Sequence, residues 1–255
     1  MALYARDLAA IHDAGFGGFA RNAAPGLLRR LRRAGIHAGL VVDLGCGSGI
    51  WARALTDAGY DVLGVDQSED MLEIARRHAP HARFEQASVV DYAPPPCAAI
   101  TALGEVLCYA GSLSILQRAD ARLLLFDVAT PARATGRTFH EGDGWLLCND
   151  ATATDRTLTR RITTFTREGA SWRRDDEEHR LALFEPAEVL ATLDAAGYDG
   201  RRIRSYGREL RPYAGLAYFE AVRWLIPRPR VRGGARDQAG RGKQGEANAS
   251  HWRAR

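Results

Sequence analysis

Residues 41–49 read Val-Val-Asp-Leu-Gly-Cys-Gly-Ser-Gly, and the fold turns on how that stretch is read. The apolar run over 39–44 has the continuous hydrophobic character of a strand buried on both faces of a parallel sheet. Glycines then alternate at 45, 47 and 49, ahead of a helical pattern that Gly59 closes. Glycine lets the chain turn sharply and lets a ligand come close to the backbone. Such a turn leaves amides exposed at a helix N-terminus, a setting that suits a nucleotide. The spacing is G-x-G-x-G, not the G-x-G-x-x-G of a dinucleotide fingerprint. One acid, Asp43, precedes the loop, and a second, Asp66, closes the next apolar strand 17 residues after Gly49. A carboxylate at that tip can accept hydrogen bonds from both hydroxyls of a ribose.

Working outward, strand and helix patterns alternate over 40–130. A strand over 60–66 is followed by a helix that Ser68 can cap, then a short strand near 82–87. A loop with three prolines leads to a buried strand near 98–106. Ser112 and Ser114 open a short helix, and a further apolar strand covers 122–130. The alternation implies a parallel sheet with right-handed crossovers. Upstream, residues 1–39 predict two helices. The first lies near 3–14, a Gly-rich break follows at 15–20, and the second has Pro25 near its start and Gly35 past its end.

Beyond residue 140 the pattern changes to stretches rich in Thr, Arg and aromatics with partial period-2 alternation, and Glu168-Gly169 sits between two of them as a hairpin turn. The expectation is an antiparallel insertion of two or three strands over about 140–184. A helix with Pro186 near its start and Gly197 at its end follows, then two last strands near 200–207 and 215–224. Residues 227–255 have almost no large apolar side chains and read as a disordered basic tail.

The chain has 255 residues, 46% hydrophobic and 26% charged, which excludes disorder throughout. No apolar run approaches the roughly 18–20 residues of a membrane span. Arg6 and Asp7 interrupt the first ten residues, so no secretory leader is expected. Cys46, Cys97, Cys108 and Cys148 are scattered without metal spacing and read as reduced thiols of a cytoplasmic protein. His78 and His81 have no accompanying ligand cluster, so no metal is expected. The net charge of +4 belongs to the tail: residues 227–255 hold eight basic and two acidic groups, leaving 27 basic and 29 acidic elsewhere. An acidic body argues against nucleic acid as substrate.

The segment D-L-G-C-G-S-G, joined to Asp66 and the continuation Asp66-Gln67-Ser68-Glu69-Asp70-Met71-Leu72, resembles the class I S-adenosylmethionine (SAM)-dependent methyltransferases. The resemblance extends over about 1–226 and is most specific over 41–75. It implies SAM as cofactor. Gly45, Cys46, Gly47 and Gly49 would pass around its methionine part, Asp43 would orient that loop, Asp66 would bind the ribose and Gln67 would lie beside the adenine. Ser88 stands where an acid is common, and the amide of Val89 remains an adenine contact. Leu103, in Thr101-Ala102-Leu103-Gly104-Glu105, would line the transfer site. Tyr4, Phe16 and Phe19 resemble residues of N-terminal helices that close over the cofactor. The crossover before the 122–130 strand is shorter than in many relatives.

The fold so implied is an α/β/α Rossmann-like sandwich with a seven-stranded, mostly parallel sheet in the order 3-2-1-4-5-7-6, strand seven antiparallel. Residues 1–39 would form a helical cap, 40–226 the SAM-binding domain and 227–255 the tail. Methyl transfer asks for an aligned acceptor, excluded water and at most one proton removed. Glu105, His179 and His140 are the candidates for that last task, with Tyr109 and Tyr213 as pocket candidates. The expected partner is a small-molecule methyl acceptor, with no membrane, and the insertion would shape its pocket or a homodimer contact. A non-catalytic SAM- or nucleotide-binding protein and an RNA-associated methyltransferase are the alternatives.

Overall fold

The computed structural model describes residues 3–223, and the tail expected over 227–255 lies outside them. Each apolar run of the first half forms a parallel strand: β1 (Leu40–Leu44), β2 (Asp61–Asp66), β3 (Arg83–Gln86), β4 (Cys97–Ala102) and β5 (Ala121–Ala129). β11 (Leu216–Arg223) runs antiparallel to both its neighbours, β5 and β10 (Tyr198–Ile203), and these last two strands complete the sheet, with β11 the antiparallel strand that was expected. Its order is β10-β11-β5-β4-β1-β2-β3, the expected doubly wound arrangement. β1, innermost in sequence logic, is flanked by β2 and β4, and all but its first residue is buried.

Helices cover both faces, as parallel strands buried on each side require. α2 (Gly18–Arg33) and α3 (Ile50–Asp57) bury Leu27, Leu31, Trp51 and Leu55 against Val41, Ala99, Leu123 and Leu125. On the opposite face, α5 (Val106–Tyr109), α6 (Ser114–Arg118) and α7 (Pro186–Ala195) pack on Val42, Ile100, Leu124 and Phe126. α4 (Glu69–His78) follows β2, and Ser68 caps it by accepting from the Met71 amide at 3.1 Å.

Two expectations are corrected. Pro25 is not near a helix start: α1 (Arg6–Phe16) and α2 run almost continuously, and Pro25 sits inside α2. The Gly-rich stretch is helical because its glycines permit close packing. A Cβ on Gly17 would stand 2.5 Å from the Ile50 side chain, and one on Gly15 would stand 2.8 Å from the Trp145 ring. The insertion is also larger than two or three strands. β6 (Gly136–Gly142), β7 (Trp145–Ala153), β8 (Thr157–Glu168) and β9 (Ser171–Ala182) form a four-stranded antiparallel meander. β6 is exposed along its length, so hydrophobic patterning left it invisible. The β8–β9 turn falls at Gly169 as read from sequence, with φ of 63° there and Glu168 paired to Ser171.

Candidate functional site

Three strands of the parallel sheet end in a carboxylate at the same edge. Asp43 on β1 lies beside Thr101 on β4 in the sheet register, and the Thr101 hydroxyl donates to it at 2.7 Å while accepting from the Trp51 indole at 3.1 Å. Burial pushes the Asp43 carboxyl up to about 7, the Thr101 bond opposing and the charge of Asp66 adding to the shift. Asp66 on β2 accepts from the Gly47 amide at 2.9 Å and the Ser68 amide at 3.0 Å. Burial raises its pKa against those amide bonds. Asp127 on β5 accepts from the Gly104 and Glu105 amides and from the Tyr206 hydroxyl at 2.7 Å. Its carboxyl is pushed up to about 6, again by burial.

Asp66 and Asp127 hold the loops above them by backbone amides, whereas Asp43, expected to orient the glycine loop, is bonded instead to Thr101 on β4. Gly45, Gly47 and Gly49 all have positive φ (63°, 52° and 76°). A Cβ on Gly45 would stand 2.3 Å from Val106, and one on Gly49 would strike Ala75, so both are fixed by packing. Gly47 differs: a Cβ there would meet nothing within 4 Å, because its Cα faces the open space of a cavity. After β4, Gly104 and Glu105 again take positive φ, and Glu105, at 68°, is a non-glycine held there by Asp127. Backbone held in so sparsely populated a region persists only where its surroundings fix it.

The cavity measures about 700 Å³. That falls within the range of roughly 300–1,000 Å³ typical of small-molecule sites. One wall comes from the parallel edge: Asp43, Gly45, Cys46, Gly47, Asp66, Gln67, Ser88, Val89 and Leu103 all line it. The roof comes from the N-terminal helices through Tyr4, His12, Phe16 and Phe19. The facing wall is the antiparallel sheet, through Thr138, His140, Asn149, Arg160 and Ile162. Of the residues expected to hold a cofactor, Gly49 alone does not reach the cavity, since it is turned toward α4.

The roof is pinned from both sides. Tyr4, with φ of 54°, donates its amide to Glu177 at 2.7 Å, and its carbonyl accepts from the Ser68 hydroxyl at 2.7 Å. The Ala5 amide donates to the other Glu177 oxygen at 2.9 Å. Further along α1, Asp7 pairs with Arg173 on β9.

The three candidate proton acceptors fare differently. Glu105 lines the cavity, but Arg133 binds one of its oxygens at 2.6 Å and Arg160 the other at 2.7 Å. His140 lines it near the rim, edge-on to Phe16 at 5.0 Å. His179 does not line it; it is 0% exposed behind Tyr109, paired in register with Arg160. Its Nε2 lies 2.8 Å from Glu177 and its Nδ1 3.2 Å from the Tyr109 hydroxyl, which is 3.2 Å from that of Tyr4. Tyr109 and Tyr213 line the cavity as expected.

Sequence reasoning missed Asp127, Arg133, Arg160, Glu177 and His12. Asp127 carried a usable signal, an acid closing an apolar strand as Asp43 and Asp66 do. The others carried none, because their partners lie on distant elements. The His12 Nδ1 and Asn149 Oδ1 atoms are buried with no partner among the described residues, and burial holds His12 down to about 4, hence neutral. Among the described residues no cluster of His, Cys, Asp and Glu could hold a metal ion.

Residues 41–129 match the family model described as a methyltransferase domain. A trans-aconitate 2-methyltransferase of Rhodopseudomonas palustris (strain HaA2) is 47% identical over 60 residues, 23% of each chain. A ubiquinone biosynthesis O-methyltransferase of Aromatoleum aromaticum (strain DSM 19018 / LMG 30748 / EbN1) is 43% identical over 61 residues, 24% of each. The similarity to these curated relatives thus spans about a quarter of their length. Among solved structures, an S-adenosylmethionine-dependent methyltransferase from Clostridium acetobutylicum ATCC 824 superposes with a TM-score of 0.71 at 15% identity, covering 84% of this chain and 97% of that one. A sugar N-methyltransferase from Streptoalloteichus sp. ATCC 53650 gives 0.70 at 21%, covering 88% and 96%. At these identities the likeness is one of fold.

Proposed function

We propose that this chain is a class I SAM-dependent methyltransferase that transfers a methyl group from SAM to a nitrogen or oxygen of a small-molecule acceptor, a reading supported by the methyltransferase-domain match over residues 41–129. One observation carries the reading: the glycine loop, the Asp66 carboxylate and the Ser88-Val89 tip meet in one cavity that continues to a second, independent wall. The residues suit the cofactor. Each Asp66 oxygen accepts one amide and keeps a lone pair for a ribose hydroxyl. Gly47 leaves free the space that any side chain would take. Gln67, Ser88 and Val89 line the same cavity, which supports reading them as the adenine side of the site.

SAM, when bound, supplies a methyl group made electrophilic by its sulfonium. The protein's work is positioning and exclusion of water. Tyr4, Phe16 and Phe19 roof the cavity, and their faces favour a cation. Glu177 accepts the hydrogen bond of the His179 Nε2–H, which leaves Nδ1 to accept from the Tyr109 hydroxyl, a tautomer assigned from the hydrogen-bond network. Tyr109 then presents its oxygen to the acceptor, so His179 acts as a positioning residue behind it. Glu105, with both oxygens paired, orients the arginines, and His140 serves at the rim.

The names of relatives point to different acceptor atoms, so the acceptor is stated as nitrogen or oxygen. Among the described residues no helix is long and apolar enough to cross a membrane, and four free cysteines suit a cytoplasmic setting. Calorimetry with S-adenosylhomocysteine tests the reading. Binding is expected, weakened about 10- to 100-fold in Asp66→Asn by loss of a charged acceptor. No heat with folded wild-type protein overturns it. Labelled SAM with a panel of amines, phenols and hydroxy acids separates an enzyme from a non-catalytic binder: binding with no turnover across the panel favours the latter.

A further inference from the structure

The Arg133–Glu105–Arg160 cluster sits on the cavity wall, and its charges do not cancel. Two guanidiniums share one carboxylate, leaving a net positive charge of one. The arginine side chains are only 22% and 17% exposed, so the excess charge lies largely out of bulk water. Arg160 donates to Glu105 through Nη2, and its Nε and Nη1 have no partner among the described residues. Arg133 spends Nε on Glu105 and Nη1 on the Ala214 carbonyl, which leaves Nη2. None of these free donors is a buried orphan, and both side chains line the cavity. Burying an uncompensated cation is costly, and a chain that holds one inside a cavity recovers that cost when an anion arrives.

The surroundings are built for the same task. Glu105 is kept at φ of 68° by Asp127, which aims its carboxylate at both arginines. Arg160 is set by β8, directly across from Ala151 on β7, and both residues line the cavity. The two carboxylates of the glycine-loop side that line the cavity are engaged elsewhere, Asp66 by the Gly47 and Ser68 amides and Asp43 by the Thr101 hydroxyl, and neither pairs with either arginine.

We infer that the methyl acceptor is an anion, carrying a carboxylate or a phosphoryl-type group that seats on Arg160 and Arg133. This rests on the methyltransferase reading and narrows its substrate class. Guanidinium donors match both groups in geometry, so carboxylate and phosphoryl acceptors share one chemistry here.

The test uses the full chain saturated with S-adenosylhomocysteine, titrated at fixed ionic strength with citrate in one arm and inorganic phosphate in the other. At least one anion is expected to bind, with affinity reduced about tenfold or more in Arg160→Gln and partly restored in Arg160→Lys, while S-adenosylhomocysteine affinity stays within about twofold. Citrate alone selects a carboxylate acceptor and phosphate alone a phosphoryl one. If neither binds, or if Arg160→Gln leaves the anion affinity unchanged, the inference falls. It also falls if Arg160→Gln weakens S-adenosylhomocysteine by the same factor, since the guanidinium would then serve the cofactor's own carboxylate. Arg133→Gln repeats the measurement should Arg160→Gln not fold. Absence of S-adenosylhomocysteine binding in the wild type is a different failure, that of the parent reading.

Discussion

The two walls of the cavity are made by opposite means. The parallel edge is a wall of backbone: short turns between strand and helix, conformations only glycine adopts easily, and acids at strand tips that hold the turns by their amides. The antiparallel wall is one of side chains, projecting from alternate positions of long strands, with Arg160 reaching over to Glu105 after β4. A backbone wall suits a ligand that never changes. A side-chain wall can be rewritten one residue at a time, and such sites are where a shared scaffold takes on different acceptors.

That contrast is open to direct attack. The largest effect is expected at Gly45, where a Cβ would combine positive φ with a 2.3 Å approach to Val106. Gly45→Ala should cost about 2–4 kcal/mol in urea unfolding, since strain and overpacking add. A cost near zero would show that the backbone wall is not fixed by its glycines. Next is Glu177, which holds two amides of the roof and one imidazole. Glu177→Ala should cost about 1–3 kcal/mol and speed amide exchange at Tyr4 and Ala5 together, leaving exchange in β1 as it was. Faster exchange in β1 would mean the walls are not independent.

A smaller, pH-dependent effect belongs to Asp43. Its carboxyl is raised to about 7 in the folded chain, so between the unfolded value and that point the native state keeps a proton that the unfolded state has lost. Stability from this group is therefore full below about pH 4 and falls as pH climbs toward 7, by at most about 1.4 kcal/mol per pH unit. Asp43→Asn, which still accepts from Thr101, should flatten the melting temperature between pH 5 and 7. An unchanged slope would assign it to other groups, Asp127 first.

The same contrast explains what the sequence could reveal. The backbone wall is local: Asp43 through Gly49 are contiguous, and Asp66 follows at the next strand end, so spacing alone exposes it. Strand order came with it, because alternating strands and helices admit few topologies. The side-chain wall is assembled at a distance. Arg160 meets Glu105 across 55 positions and Tyr4 meets Glu177 across 173. Period-2 patterning tells which residues share a face, but not which face curls over a cavity. His179 was singled out by its neighbourhood in sequence, yet its place behind Tyr109 depended on a strand pairing that no local pattern encodes. Pro25 misled for a related reason, since the glycines before it serve contact with Ile50 and Trp145 rather than a break in the helix.

Tyr4 touches both halves of this chamber: its carbonyl is tied to Ser68 beside the nucleotide-facing edge, its amide to Glu177 on the opposite sheet. Neither tie can slip without disturbing the other, because one peptide plane away the same residue is already wound into an uncomfortable turn. The segment works as a buckle. One residue thus clasps the roof of the cavity to both of its walls at once.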